Sequence, residues 1–138
     1  MLDPGPTSIY LDPPPLPFGG SGLVSSARDY DRFLAMLANR GTLDGIKILS
    51  QETAALAMSN LLPGDTDLSM LKQMGMSNVG FGAGGSVQLS GPGKGTFGWG
   101  GAAGTDGRAN PLNRRRASGF INVMGQFVLA PKASEAIA

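Results

Sequence analysis

Twelve glycines fall between residues 80 and 107. So dense a run excludes a long helix there, because each interior glycine costs a helix roughly 1 kcal/mol against alanine. It leaves short strands and tight turns, where the missing Cβ permits positive φ and close backbone approach. The whole chain is marked the same way. Its 22 glycines and 10 prolines make up 32 of 138 residues, nearly twice the roughly 12% of average usage. One domain is expected at this length, large enough to bury a core. Charged residues are only 15% and mean hydropathy is +0.02. That excludes a charged disordered tail, a coiled coil and a collagen repeat.

Several function classes are excluded as directly. The net charge is +1, which gives no electrostatic case for nucleic acid or an anionic membrane. The chain has no Cys and no His. Disulfide scaffolds, thiolate metal sites, Cys nucleophiles and His-based triads are therefore out. Neither cofactor nor metal is expected, and catalysis would rest on Ser, Lys, Tyr, Asp or Glu. No apolar run approaches the roughly 18 residues of a membrane span. The opening MLDPGPTSIY lacks the basic and apolar regions of a signal peptide. No compartment is assigned by these features.

Residues 1–17 hold six of the ten prolines and read as an extended, polyproline-like segment. A covering strap or linker is the plain reading, an SH3-type ligand the other. Residues 18–138 form the domain proper. After a loop at 18–22, Ser26 is a good helix N-cap and Asp29 favours the first turn. Tyr30, Phe33, Leu34 and Leu37 then fall on one helical face, and Gly41 suits the left-handed position beyond the C-terminus. Asp44-Gly45 marks a hairpin turn. Ser50 caps a second helix, from 51 to about 60. Residues 65–77 read as loop with one helical turn at most. Strands are expected at 79–81, 86–89 and 96–99, then at 119–124 and 127–129, with a turn at 110–113. Helix, hairpin, helix and then several strands is an α+β order with antiparallel pairing.

Three short motifs read more plainly as structure. Gly80-x-Gly82-x-x-Gly85 fits a dinucleotide pattern, but no helix follows to receive a pyrophosphate. Ser69-x-x-Lys72 has the spacing that lets Lys activate a Ser one helical turn away. It is only two fixed positions in a weakly patterned stretch. Arg114-Arg115-Arg116 reads as a solvated edge or an ion-pair partner. The segment from Thr96 to Thr105 is the most informative. It holds the single Trp, and glycines at a strand end let backbone N–H groups approach a ligand or form an oxyanion hole. A glycine-rich hairpin rim with Trp as a core plug is the competing reading.

This segment resembles the serine β-lactamase-like hydrolases: class C β-lactamases, DD-peptidases and related esterases. Phe97-Gly98-Trp99-Gly100-Gly101-Ala102-Ala103-Gly104-Thr105 is similar to the family's FGWGGAAGT. The resemblance covers about residues 18–126. Gly19 to Phe33 is similar to GGGGLVSTAxDYxRF, and Gly41 to Thr53 to GxLDGxRLLSPET. The resemblance implies a partial β-lactamase-like fold, with helices on an antiparallel sheet and the N-terminal strands missing. It implies that Trp99, Gly100 and Gly101 line the substrate site, and that the Ala102 backbone N–H is one oxyanion donor. The family's upstream S-x-x-K and Tyr-x-Asn motifs have no counterpart ahead of Phe18. The chain is therefore expected to be a C-terminal portion, inactive alone, that acts on a small-molecule ester or amide once completed. Trp99 in place of the family's Lys favours ester. Self-association through exposed edges is expected. The alternatives are a non-catalytic binding module, docking through its Pro-rich head or glycine-rich face, and a fragment without function.

Overall fold

The computed structural model describes residues 5–13, 15–16, 23–73, 75–121, 123–125 and 136–138. Helix α1 spans Ala27–Ala38. The Ser26 hydroxyl accepts the Asp29 N–H at 3.1 Å and donates to the Asp29 carboxylate at 2.7 Å, so the cap is formed as expected. At the other end the Gly41 N–H reaches the Met36 carbonyl and the Arg40 N–H the Leu37 carbonyl. This is a Schellman closure, and its first left-handed residue is Arg40 at φ 55°, one residue before the expected Gly41. Leu34 and Leu37 are buried. Phe33 is not. It lies on the rim of the apolar face with its ring 6.0 Å from that of Tyr30.

Thr42–Leu43 and Ile46–Lys47 form the hairpin β1–β2. Asp44 and Gly45 both have positive φ, the conformation of a type I′ turn, whose twist suits a two-residue hairpin. Helix α2, Gln51–Ala57, is capped by Ser50. It stops before residue 60 because Asn60 is used elsewhere. The Asn60 side-chain oxygen accepts the Phe81 N–H at 3.1 Å, and the Leu61 N–H bonds the Phe81 carbonyl. A single short helix, α3 at Ser69–Gln73, follows.

The remaining strands make one antiparallel meander. They are β3 (Val79–Phe81), β4 (Ser86–Gln88), β5 (Phe97–Gly101), β6 (Thr105–Asn110) and β7 (Arg115–Phe120), in that spatial order. The class is α+β. Val87, Phe97 and Ala109 are register partners across three strands. They form an apolar row under Leu34, Met36, Leu37, Ala54 and Met58. Gly107 lies on the same face as Ala109, and a Cβ there would run into the Tyr30 ring. Its absence lets α1 lie close on β6.

Three expectations need correction. No strand is expected at Asp106 to Asn110, yet with Thr105 these residues form β6, six residues long and paired on both sides. Its alternation is polar: Asp106, Arg108 and Asn110 are buried on the side of the sheet away from α1. The final strand begins at Arg115 instead of 119, directly after the turn at 111–114. The expected strand at 127–129 lies outside the described residues. In the Pro-rich head, Gly5–Thr7 and Ile9–Leu11 are short 3-10 turns, so residues 5–11 are not continuous extended chain. Among the described residues no helix is long and apolar enough to cross a membrane.

Two predictions follow from the packing. Leu34→Ala, at a site 1% exposed, should lower the unfolding free energy by about 2–5 kcal/mol in urea titration. Arg116 ties β7 to α1 by bonding both Asp31 oxygens, at 2.7 and 2.9 Å. That hydrogen bond holds the Asp31 carboxyl below its ordinary range. The lowered value means the contribution is complete above the unfolded carboxylate pKa of about 3.9 and is lost as pH falls through the folded one. Asp31→Asn should therefore flatten the stability curve below about pH 4 and leave its shape at pH 5–8 unchanged.

Candidate functional site

Trp99, Gly100 and Gly101 occupy the second half of β5. On one side all three pair with β6, opposite Gly107, Asp106 and Thr105. On the other side β4 meets β5 only at Phe97 and Gly98. From Trp99 onward that edge of the strand has no partner strand among the described residues. The strand then turns at Ala102, whose carbonyl accepts the Gly125 N–H at 2.8 Å. Ala102 is exposed, and its N–H bonds to no described residue. Trp99 is 37% exposed, with its ring edge-on to Phe81 at 5.1 Å. It is thus a rim residue, and neither a buried plug nor a free surface side chain.

A buried polar cluster fixes this edge. The Arg108 guanidinium donates to both Asp106 oxygens at 2.9–3.1 Å, and from Nη1 to Ser86 Oγ at 2.9 Å and the Gly98 carbonyl at 3.0 Å. Ser86 Oγ in turn donates to the same carbonyl at 3.1 Å. Three strands meet at one oxygen, immediately before Trp99. Gly98 has φ +152°, which side chains rarely adopt, and a Cβ there would collide with the Gly107 carbonyl. Only glycine fits at the position where the clamp grips the strand. Among the described residues no buried side-chain polar atom lacks a partner.

Sequence reasoning brought Trp99, Gly100, Gly101 and Ala102 together, and the structure places them consecutively on this edge and its turn. It missed Ser86, Asp106 and Arg108. The available signal was Asp-x-Arg, opposite charges two residues apart and so on one face of a strand. Ser69 and Lys72 form no catalytic pair: Ser69 Oγ donates to Asp67 at 3.1 Å. Its N–H bonds the same carboxylate, and these bonds hold the Asp67 carboxyl below its ordinary range. Gly80 to Gly85 is a hairpin between β3 and β4, as its sequence context implies. A cavity of about 430 Å³ lies at the far end of β5, between α2 and the turns at Gly95 and Pro111. It is remote from Trp99 and takes no part in this edge.

No protein-family model matches the chain. It is similar to Protein Rv1367c of Mycobacterium tuberculosis (strain ATCC 25618 / H37Rv), with 38% identity over 112 residues. The match to the Uncharacterized protein MT1414 of strain CDC 1551 / Oshkosh has the same extent and identity. Each match takes in 74% of this chain and 28% of the relative. The chain therefore spans well under a third of the length of the curated relatives it matches.

The clamp makes a clear energetic prediction. Arg108→Met leaves the Asp106 carboxylate buried and unpaired, and should cost about 3–5 kcal/mol. Replacing both partners, as Asp106→Leu with Arg108→Met, should recover most of that loss in the same urea titration. A double-variant loss equal to the sum of the Arg108→Met and Asp106→Leu losses would show that the two groups are not coupled.

Proposed function

We propose that this chain supplies the oxyanion-side strand of a serine hydrolase that cleaves acyl esters through an acyl-enzyme. The observation that carries the reading is the β5 edge from Trp99 onward, which has no partner strand among the described residues and ends at Ala102, an exposed residue whose N–H bonds to no described residue. The resemblance of residues 97–105 to a hydrolase strand is its sequence counterpart.

In this reading the ester lies along Trp99, Gly100 and Gly101, with its carbonyl oxygen toward Ala102. A serine hydroxyl attacks the carbonyl carbon and its proton passes to a neighbouring base. The resulting oxyanion is held by the Ala102 N–H and by the nucleophile's own N–H. Collapse expels the alcohol, which takes up a proton, and water then releases the acid from the serine. Asp106 and Thr105 fill the space beside Gly100 and Gly101, so the acyl group lies along the strand edge itself, with Trp99 and Phe81 as an apolar wall. Serine and base come from a separate polypeptide portion, corresponding to the part of the relatives beyond the matched region. The Arg108 clamp holds the strand that presents Ala102.

The test is complementation. The chain alone should form no adduct with a fluorophosphonate probe, as read by intact mass. Refolded with the part of Protein Rv1367c outside the matched segment, it should hydrolyse p-nitrophenyl butyrate. Ala102→Pro, which removes the N–H, should lower kcat by about 10²–10³-fold, and Ala102→Ser should not. Absence of hydrolysis in a soluble, stoichiometric complex would count against the reading. So would a stoichiometric adduct on the folded chain alone, since that would place the nucleophile within these residues.

A further inference from the structure

The cavity of about 430 Å³ between α2 and the turns at Gly95 and Pro111 has no part in the hydrolase reading. Its size is that of a small-molecule site, where a mostly apolar lining carries a few placed polar groups. Met58, 5% exposed, is its most deeply buried lining residue. Ala55 and Leu112 extend the apolar wall. The turns are fixed by Asn110, whose side chain is fully buried. Its amide donates to the Lys94 carbonyl at 3.1 Å and to Thr96 Oγ1 at 3.2 Å, and its oxygen accepts the Leu112 N–H at 2.9 Å. Gly95 lets the two turns meet, since a Cβ there would run into the Leu112 side chain. The walls are thus built before any ligand arrives, which lowers the cost of binding.

Two opposite charges border this cavity. Arg40 and Glu52 both line it, and both are exposed. They do not pair with each other. Among the described residues the ion pairs are Arg32–Asp44, Arg108–Asp106 and Arg116–Asp31. Arg40 is nevertheless held in place. Its Nε donates to the Pro111 carbonyl at 3.3 Å. That bond ties the guanidinium to the cavity wall and leaves its two terminal nitrogens without a bond to any described residue.

We propose that this cavity binds a free α-amino acid with an aliphatic side chain of about the size of leucine. The terminal nitrogens of Arg40 take its carboxylate, a two-point acceptor that matches a guanidinium. The Glu52 carboxylate takes its ammonium group. The aliphatic side chain lies on Met58, whose flexible thioether adapts to its shape. The charges select this class. A simple carboxylic acid would bring its negative charge beside Glu52, and a simple amine its positive charge beside Arg40. A residue within a peptide carries neither free group, and a terminal residue carries one. A free amino acid offers both charges next to an apolar group, which is the pattern of the lining.

Titration of the full, isotope-labelled chain with L-leucine tests this, read from amide shifts by NMR, with circular dichroism as the check on folding. Saturable shifts at Ala55, Gly95 and Leu112 are expected, with a Kd of about 0.1–1 mM for so small a ligand. The Trp99 indole signal, at the other end of β5, should not move. N-acetyl-L-leucine lacks the ammonium group and L-leucinamide the carboxylate, and each should bind at least about fivefold more weakly. Glu52→Gln should weaken leucine by a similar factor and spare N-acetyl-leucine. Arg40→Asn, a residue that tolerates the φ of 55° found there, should weaken leucine and spare leucinamide. Ala55→Leu keeps a good helix former and fills the cavity, so it should abolish the shifts in a folded chain. No saturable shift at about 10 mM leucine would overturn the proposal. Equal affinity for leucine and both blocked analogues, or binding indifferent to Ala55→Leu, would overturn it as well. None of these outcomes depends on hydrolase activity.

Discussion

Arg108 joins β4, β5 and β6 at a single point, and much of the sheet depends on that junction. Glycine-rich strands carry little information about register, because few side chains distinguish one face from the other. β5 has glycine at three of its five positions. A slip of β6 by one residue would turn Asp106 and Arg108 toward α1 and bring Gly107 to the far side. The buried pair forbids that slip, since either charge unpaired in the interior would cost several kcal/mol. Its worth lies in specifying one pairing. Net stability comes instead from the apolar row of Val87, Phe97 and Ala109 beneath the two helices.

The same junction shapes the candidate site. Gly98 is held by its carbonyl, which accepts from both Arg108 and Ser86. Next to it, β4 ends and the β5 edge becomes free. The clamp sits at the last residue where three strands run together. A backbone edge that takes a ligand, as proposed for this one, must stay open and rigid at once. Here rigidity comes from a buried polar network one residue away, and openness from the shortness of β4.

Much of the helical half was legible in the sequence. Ser26 and Ser50 are caps whose partners lie three residues on, and Asp44-Gly45 is a turn formed by its own two residues. These features are local, so local chemistry settles them. Strand β6 was not legible, because Asp, Gly and Asn are turn residues by propensity. They become a buried strand only when Ser86, Thr96 and Gly98 supply partners from other strands. The early end of α2 has the same origin, since Asn60 answers to Phe81, twenty-one residues away. Trp99 to Ala102 could be picked out as a segment. That β4 stops short of Trp99, and that Arg108 grips the strand there, are facts of pairing between distant segments.

Among the described residues two stretches of backbone lack a partner strand, and they are unlike in kind. The free part of β5 is three residues long, two of them glycine, and ends in a turn. It can offer few hydrogen bonds and almost no side-chain surface, which suits a small acyl group and would hold another strand poorly. The edge of β7 runs for six residues with alternating side chains and an aromatic residue at its end. Main-chain bonds along such an edge give affinity, and the alternate side chains fix register. A small molecule could engage only a fraction of it. The two edges lie on opposite sides of the β5–β6 pair that the clamp holds.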